Sequence, residues 1–258
     1  PPVAAYGAYK AFLRTGDRRF VDDYYEPLAR YHAWWKRNRD GNGDGLLEWG
    51  SNQAGVAHPQ WQAHSYWASR YETGMDNHPM WDDVRYNVLT CTQEQNDVGL
   101  SALRALEAKC LAGMARVLGR DAEAQRFGEY ADETTRRIDE LLWNDKVGLW
   151  LSRDWNGQWC ERAAPTCFYP IFLDGASQRV DRAVREHLTN PKRFGGEYVL
   201  PVCPRDDPAY AEQYYVRGRI WPAQTLLVHN ALREAGREED AAWLARGAIR
   251  TMRQEWVN

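Results

Sequence analysis

The chain has 258 residues, enough for one large domain or two small ones, with 33 Lys and Arg against 36 Asp and Glu and a formal charge of -3. It carries no basic block and no acidic tail, which argues against nucleic acid and anionic membranes as partners, and no apolar run approaches the ~20 residues that span a bilayer. A single core suffices at this size, since roughly three quarters of the unfolded surface is buried near ~300 residues, and the chain is read as one domain over residues 1–258.

The sequence opens Pro1-Pro2-Val3-Ala4, without Met and without a basic-then-apolar leader, and reads as a piece of something longer. Helical periodicity then comes in pairs with similar punctuation. Tyr6 to Arg14 is followed by Thr15-Gly16-Asp17 and a helix from about Phe20 to Asn38; Leu100 to Leu118 by Gly119-Arg120-Asp121 and a helix from about Glu123 to Trp143; Ile220 to Ala235 by Gly236-Arg237-Glu238 and a helix from about Asp240 to Trp256. A Gly stands where each C-cap wants a left-handed residue, and an acidic residue stands where the next helix begins. These are αα-hairpins. One helix of each pair is richer in small and apolar residues and the other in Arg and Glu, the pattern of a double ring with inner helices covered on both sides and outer helices on one. A solenoid would also use helical pairs, but no strict period of 33 to 47 residues recurs.

Long inserts break the array at Asp40 to Trp67, Gly148 to Trp159 and Asn190 to Val216. In the first, Asp40, Asn42, Asp44, the Leu46 carbonyl and Glu48 place oxygens at alternate positions around Gly45, as a loop wrapping Ca²⁺ would. The EF-hand pattern fails at its twelfth position, which is Ser51, and Asp/Asn/Gly loops are also ordinary turns. The second insert alternates around Asn156-Gly157 and reads as a hairpin. Five cysteines without CxxC spacing read as reduced, buried thiols and point to the cytoplasm. The chain uses 13 Trp and 14 Tyr but only 6 Phe. Trp and Tyr suit half-wet surfaces such as a sugar pocket, although most of the tryptophans are expected to be core bulk.

Arg70 to Asp83 is the densest segment: four carboxylates, a carboxamide and a histidine with Tyr71 and Trp81 around a Gly-Met-Asp turn. Ionised carboxylates make a poor core, so a site is the simplest use for it. The bland alternative is a helix start, with Asp76 or Asn77 as N-cap and Pro79 in the first turn. Of these carboxyls Asp76 is the candidate proton donor, its proton favoured by nearby Glu72, Asp82 or Asp83 and by desolvation against Trp81 and Met75.

Tyr71-Glu72-Thr73-Gly74-Met75-Asp76-Asn77-His78-Pro79 resembles the acid-bearing motif of (α/α)6-barrel glycosidases of glycoside hydrolase family 63 and the related mannosylglycerate hydrolases, which runs aromatic-Glu-Ser-Gly-Met/Trp-Asp-Asn-Ser-Pro. Glu48-Trp49-Gly50-Ser51 resembles the family's Glu-Trp-Gly pocket segment, and Tyr214 to Pro222 its Tyr-Trp-Arg-Gly-Pro-Ile-Trp-Pro, with Val216 and Arg219 standing where Trp and Pro are usual. The resemblance implies a mostly α (α/α)6 toroid, incomplete at both ends, with short β-hairpin inserts. It also implies an inverting hydrolase of an α-glucoside- or α-mannoside-type oligosaccharide or small glycoside. Asp76 would be the acid, Trp49, Tyr71, Glu72, Asn77, Tyr215, Arg217 and Trp221 would bind the carbohydrate, and some relatives hold calcium in a loop comparable to Asp40 to Glu48. The family's general base is a Glu in a Glu-Asn-Tyr-like segment that these 258 residues do not contain, and Glu255 lacks the motif. Two other readings stand beside the enzyme. One is a sugar-binding toroid without the base; the other is an isomerase or epimerase using paired histidines, for which His58, His64 and His78 show no recognisable pairing.

Overall fold

The computed structural model describes residues 1–51, 65–175 and 177–256, so His58 and His64 lie outside the described residues. The helices in chain order are α1 (Ala4–Thr15), α2 (Arg19–Asp22), α3 (Tyr25–Arg39), α4 (Tyr66–Glu72), α5 (Val98–Val117), α6 (Asp121–Leu141), α7 (Ile171–Asp174), α8 (Gln178–Arg182), α9 (Pro222–Glu234) and α10 (Glu238–Trp256). Gly16, Gly119 and Gly236 all take positive φ, between 71° and 72°, and turn α1 toward α2 and α3, α5 into α6 and α9 into α10, as their positions predict. The expected unbroken helix from Phe20 to Asn38 is instead two, α2 and α3. Pro27 has no N–H for the carbonyl of residue 23, and its ring crowds that carbonyl, so a helix must begin just before it.

Inner and outer helices differ as the composition predicts. α5 buries every residue from Val98 to Ala115 except Lys109, whereas α6 buries only Ala124, Ala131, Thr134 and Ile138 and sends Glu133, Arg136, Arg137 and Glu140 into an exposed ion-pair ladder. A burial stripe at three-, four- and seven-residue spacing is what one-sided packing requires. α1 approaches α5 closely because Gly113 has no side chain: a Cβ there would fall 2.4 Å from the Tyr9 ring. These helical pairs form a mostly α toroid.

Strands are two residues long and, among the described residues, lie between α4 and α5 and between α6 and α7. β1 (Tyr86–Asn87) pairs with β2 (Thr92–Gln93), β3 (Gln95–Asn96) with β6 (Arg153–Asp154), and β4 (Trp143–Asn144) with β5 (Leu149–Trp150), all antiparallel. The hairpin predicted around Asn156-Gly157 exists as an Arg153–Trp159 bridge closed at Gly157, whose φ is +83°. Its flanking strands, however, pair with Gln95–Asn96 and Trp143–Asn144. Two cores result. The larger surrounds α5, and a second lies beneath the inserts, built from Trp35, Leu47, Trp49, Met75, Met80, Trp81, Val202 and Val216. Most tryptophans of that second core are bulk, as expected: Trp81 is fully buried and Trp35 nearly so. Of the five cysteines, Cys91 and Cys160 are half-buried and the other three buried. No helix among the described residues is long and apolar enough to cross a membrane.

Candidate active site

Ser65 caps α4 by accepting the Ala68 N–H at 3.1 Å, and the helix ends where Gly74 takes a φ of +67°. The chain then folds back on α4. Buried Arg70 donates from Nε to the Asp76 carbonyl at 2.7 Å, Thr73 Oγ1 accepts the Met75 N–H at 2.8 Å, and the Trp81 indole donates to the Met75 carbonyl at 2.9 Å. Met75 and Trp81 sink into the second core while Asp76 and Asn77 stay half-buried above it. Neither of these two caps the following turn. His78 does, accepting the Met80 N–H on Nδ1 at 3.2 Å.

The second segment arrives from the loop before α9. Tyr214 and Arg217 exchange backbone hydrogen bonds of 3.0 and 2.9 Å around Tyr215, whose φ is +49°, and Gly218 lies so close to the Tyr210 carbonyl that a Cβ would stand 2.3 Å from its oxygen. This tight turn aims Tyr215 at the acid loop. Its hydroxyl donates to Asp76 Oδ2 at 3.3 Å across 139 residues of sequence, the Val216 N–H donates to Asn77 Oδ1 at 3.1 Å, and Arg217 Nη1 donates to the Asn77 carbonyl at 3.0 Å. Trp221 meets Tyr215 edge-on, ring centroids 5.2 Å apart, and donates its indole N–H to the Tyr215 carbonyl. Asp76, Asn77, Tyr215 and Trp221 thus come together, and Tyr71, half-buried near the end of α4, is close enough to act on the Tyr215 hydroxyl.

Three residues expected at the substrate are used otherwise. Trp49 is 4 % exposed and packs edge-on against Trp35, so it closes its loop onto the core and offers no open stacking face. Arg217 is spent on ion pairs with Asp82 at 3.1 Å and Glu212 at 2.6 Å, which makes it a clamp between segments. Glu72 forms a two-pronged ion pair with buried Arg39 and accepts the Gly50 N–H at 2.9 Å, tying α3, the first insert and α4 into one unit. The like charges expected to favour a proton on Asp76 are therefore largely neutralised: Glu72 by Arg39, and Asp82 by Arg217 with Arg70 beyond at 3.7 Å. Arg39, Arg70 and His78 were not singled out from sequence as structural parts of this site, and only their nearness to Glu72 and Asp76 in the chain marks Arg70 and His78.

The Asp40 to Glu48 loop does not fit a resident calcium ion. Asp40 Oδ1 accepts the Gly45 N–H, Asn42 Oδ1 the Asp44 N–H, Asp44 Oδ1 the Leu46 N–H, and Asp44 Oδ2 the side-chain amides of Asn42 and Asn96. Glu48 is fully buried, with Oε2 accepting the Gly41 N–H at 2.7 Å and Oε1 the Trp155 indole N–H at 3.2 Å, so both its oxygens are already engaged. The Arg137 guanidinium also covers the loop and donates to the Asp44 carbonyl. Among the described residues no three acidic, His or Cys side chains are placed to share a metal. Titrating chelator-stripped protein with Ca²⁺ is therefore expected to give no saturable heat. Asp44→Ala is expected to cost about 1–3 kcal/mol in denaturant unfolding through lost turn hydrogen bonds. Saturable heat in wild type that Asp44→Ala abolishes would restore the calcium reading.

A toroid of αα-hairpins, with an aspartate displayed where the loop after α4 meets the loop before α9, defines an (α/α)-barrel glycosidase-like domain. The chain belongs to the family of mannosylglycerate hydrolase MGH1-like glycoside hydrolase domains, which it matches over residues 1–257. It is 24 % identical to the mannosylglycerate hydrolase of Rubrobacter radiotolerans, over 99 % of this chain and 66 % of that protein, and 25 % identical to mannosylglycerate hydrolase MGH1 of Selaginella moellendorffii, over 92 % of this chain and 55 % of that protein. It spans less than two thirds of the length of either. Its fold is similar to that of the crystal structure of the family 63 mannosylglycerate hydrolase from Thermus thermophilus in complex with Tris, with a TM-score of 0.77 at 20 % identity over 98 % of this chain and 69 % of that one.

Proposed function

We propose that the chain carries the acid half of an inverting glycoside hydrolase acting on a small α-mannoside or α-glucoside, with Asp76 as general acid. The observation that carries this is the hydrogen bond from Tyr215 to Asp76 Oδ2: two segments 139 residues apart converge on one half-buried carboxyl, and the clamps around it hold its backbone still. Tyr215 would orient the carboxyl toward the leaving oxygen, and Trp221 behind it would keep Tyr215 in place. The second carboxylate, which activates water on the opposite sugar face, is assigned outside these 258 residues, because Glu72 and Asp82 beside Asp76 are both engaged by arginines.

The relatives are named for mannosylglycerate, a mannoside of a small hydroxy acid, which makes that the first substrate to test. Val216 is fully buried where the resembled motif carries Trp, so that position supplies no indole to the site and the one beside Tyr215 comes from Trp221. The test is product release by the full natural chain from mannosylglycerate, glucosylglycerate and simple α-mannosides, with the anomer of the released sugar followed by NMR. Inverted product from any of them supports the reading. No turnover of any, with sugar still bound saturably, would leave a sugar-binding toroid.

A further inference from the structure

On the outer wall of the toroid, away from Asp76, a cavity of about 480 Å³ opens between α3 and α6 with α5 as its floor. Its floor holds Arg104, only 2 % exposed, whose Nε and Nη1 have no hydrogen-bond partner among the described residues. A guanidinium in that state is costly, because desolvation of a charge is offset only by a paired charge and satisfied hydrogen bonds. The Tyr130 ring covers one face of it at 4.2 Å, Arg104 itself lines the cavity, and Glu107 and Asp40 are the acidic groups whose charge acts on it.

The exposed rim is basic. Lys36 and Arg37 from α3 and Arg126 from α6 stand exposed at the rim, while Phe127 gives an apolar wall. Glu123 also lines the cavity but is engaged by the Tyr25 hydroxyl at 2.7 Å and by Arg120 at 3.5 Å. Beneath, Glu107 Oε2 and His32 Nδ1 lie 3.0 Å apart, and Glu107 Oε1 is unpartnered among the described residues. Burial pushes the Glu107 carboxyl up and the His32 imidazole down, the directions that favour a neutral hydrogen-bonded pair, while the charge of Arg104 acts to lower both. Arg104, lowered by burial to about 10, keeps its proton near neutral pH and is the cation of the floor.

We propose that this cavity binds a small organic anion, its carboxylate or phosphate group paired with the Arg104 guanidinium and its apolar body lying against Phe127. The planar N–H edge of arginine matches both oxyanions, and the basic rim raises their local concentration. Such a site is separate from the glycosidase face.

The test is calorimetric titration of the full natural chain with inorganic phosphate and with benzoate, at constant ionic strength. Saturable binding of at least one is expected, with the two probes competing. The tighter of the two tells whether the natural ligand is a phosphate ester or a carboxylate. Arg104→Met, which keeps the stem and removes the charge, is expected to weaken binding by about tenfold or more, the scale of a charge-assisted hydrogen bond. Because a core arginine variant can fail to fold, Lys36→Ala with Arg126→Ala on the exposed rim is the companion and is expected to weaken binding severalfold. Absence of saturable binding by either probe, or undiminished binding by a folded Arg104→Met or by the rim variant, overturns the proposal.

Discussion

Asp76→Asn is expected to lower turnover of an α-glycoside with a poor leaving group by about 10² to 10⁴-fold, the usual worth of general acid catalysis. Asparagine keeps the shape and can still meet the Tyr215 hydroxyl, which donates to Oδ2 at 3.3 Å, so the loop should keep its place. What is lost is the transferable proton. A substrate whose leaving group departs as a stable anion needs little protonation and should suffer far less, and that contrast between two substrates is the signature of the role. Stability should change little, because the clamps on this loop are held by the Asp76 carbonyl, by Asn77 and by Trp81, none of which the substitution touches. If poor and good leaving groups fall by the same factor, Asp76 positions substrate and another group supplies the proton.

The helical pairs were legible because their signals are local. A left-handed Gly after an apolar stripe closes a hairpin wherever it occurs, and the one misjudged helix, Phe20 to Asn38, failed for an equally local reason at Pro27. The acid loop was legible for its composition. Its supports were not, since Arg39 meets Glu72 across 33 residues and Arg217 meets Asp82 across 135, and no short pattern encodes such pairs. Trp49 shows the same limit from the other side. An indole in a Gly-rich loop can face solvent or core, and only the placement of Trp35 beneath it decided for the core.

Two departures from the resembled motifs meet in space. His78 stands where the acid motif carries Ser, and Val216 where the later motif carries Trp, one a gain of volume and the other a loss. Cys203 lies between them, its Sγ 3.7 Å from both His78 Nε2 and the Val216 carbonyl. A close-packed core tolerates a small residue replacing a large one best when a neighbour grows. His78 also makes a bond that Ser is too short to make: Nε2 donates to the Val202 carbonyl at 2.8 Å while Nδ1 caps the turn at Met80.

That arrangement needs a neutral imidazole and predicts a pH signature. Burial pushes His78 down to about 4 from an unfolded value near 6.5. Above pH 6.5 both states are neutral and the wild type has its full advantage over His78→Ser, about 2–4 kcal/mol for the vacated volume and lost hydrogen bonds. Between pH 6.5 and 4 the unfolded chain takes up a proton that the folded chain refuses, so wild-type stability falls relative to the variant. The advantage should shrink by at most about 1.4 kcal/mol per pH unit across that window, about 3 kcal/mol in all. The pH curve of wild type alone would not show this cleanly. His32 and His187 are also depressed, to about 3 and about 4, while buried Glu48, Asp97 and Glu107 are raised, to about 9, 6 and 8, and act in the opposite direction. Subtracting the variant cancels those shared groups and leaves His78. Urea unfolding of both proteins at half-unit intervals measures the gap, and a gap that stays constant from about pH 7 to 4 would show that the imidazole is not held neutral against Val202.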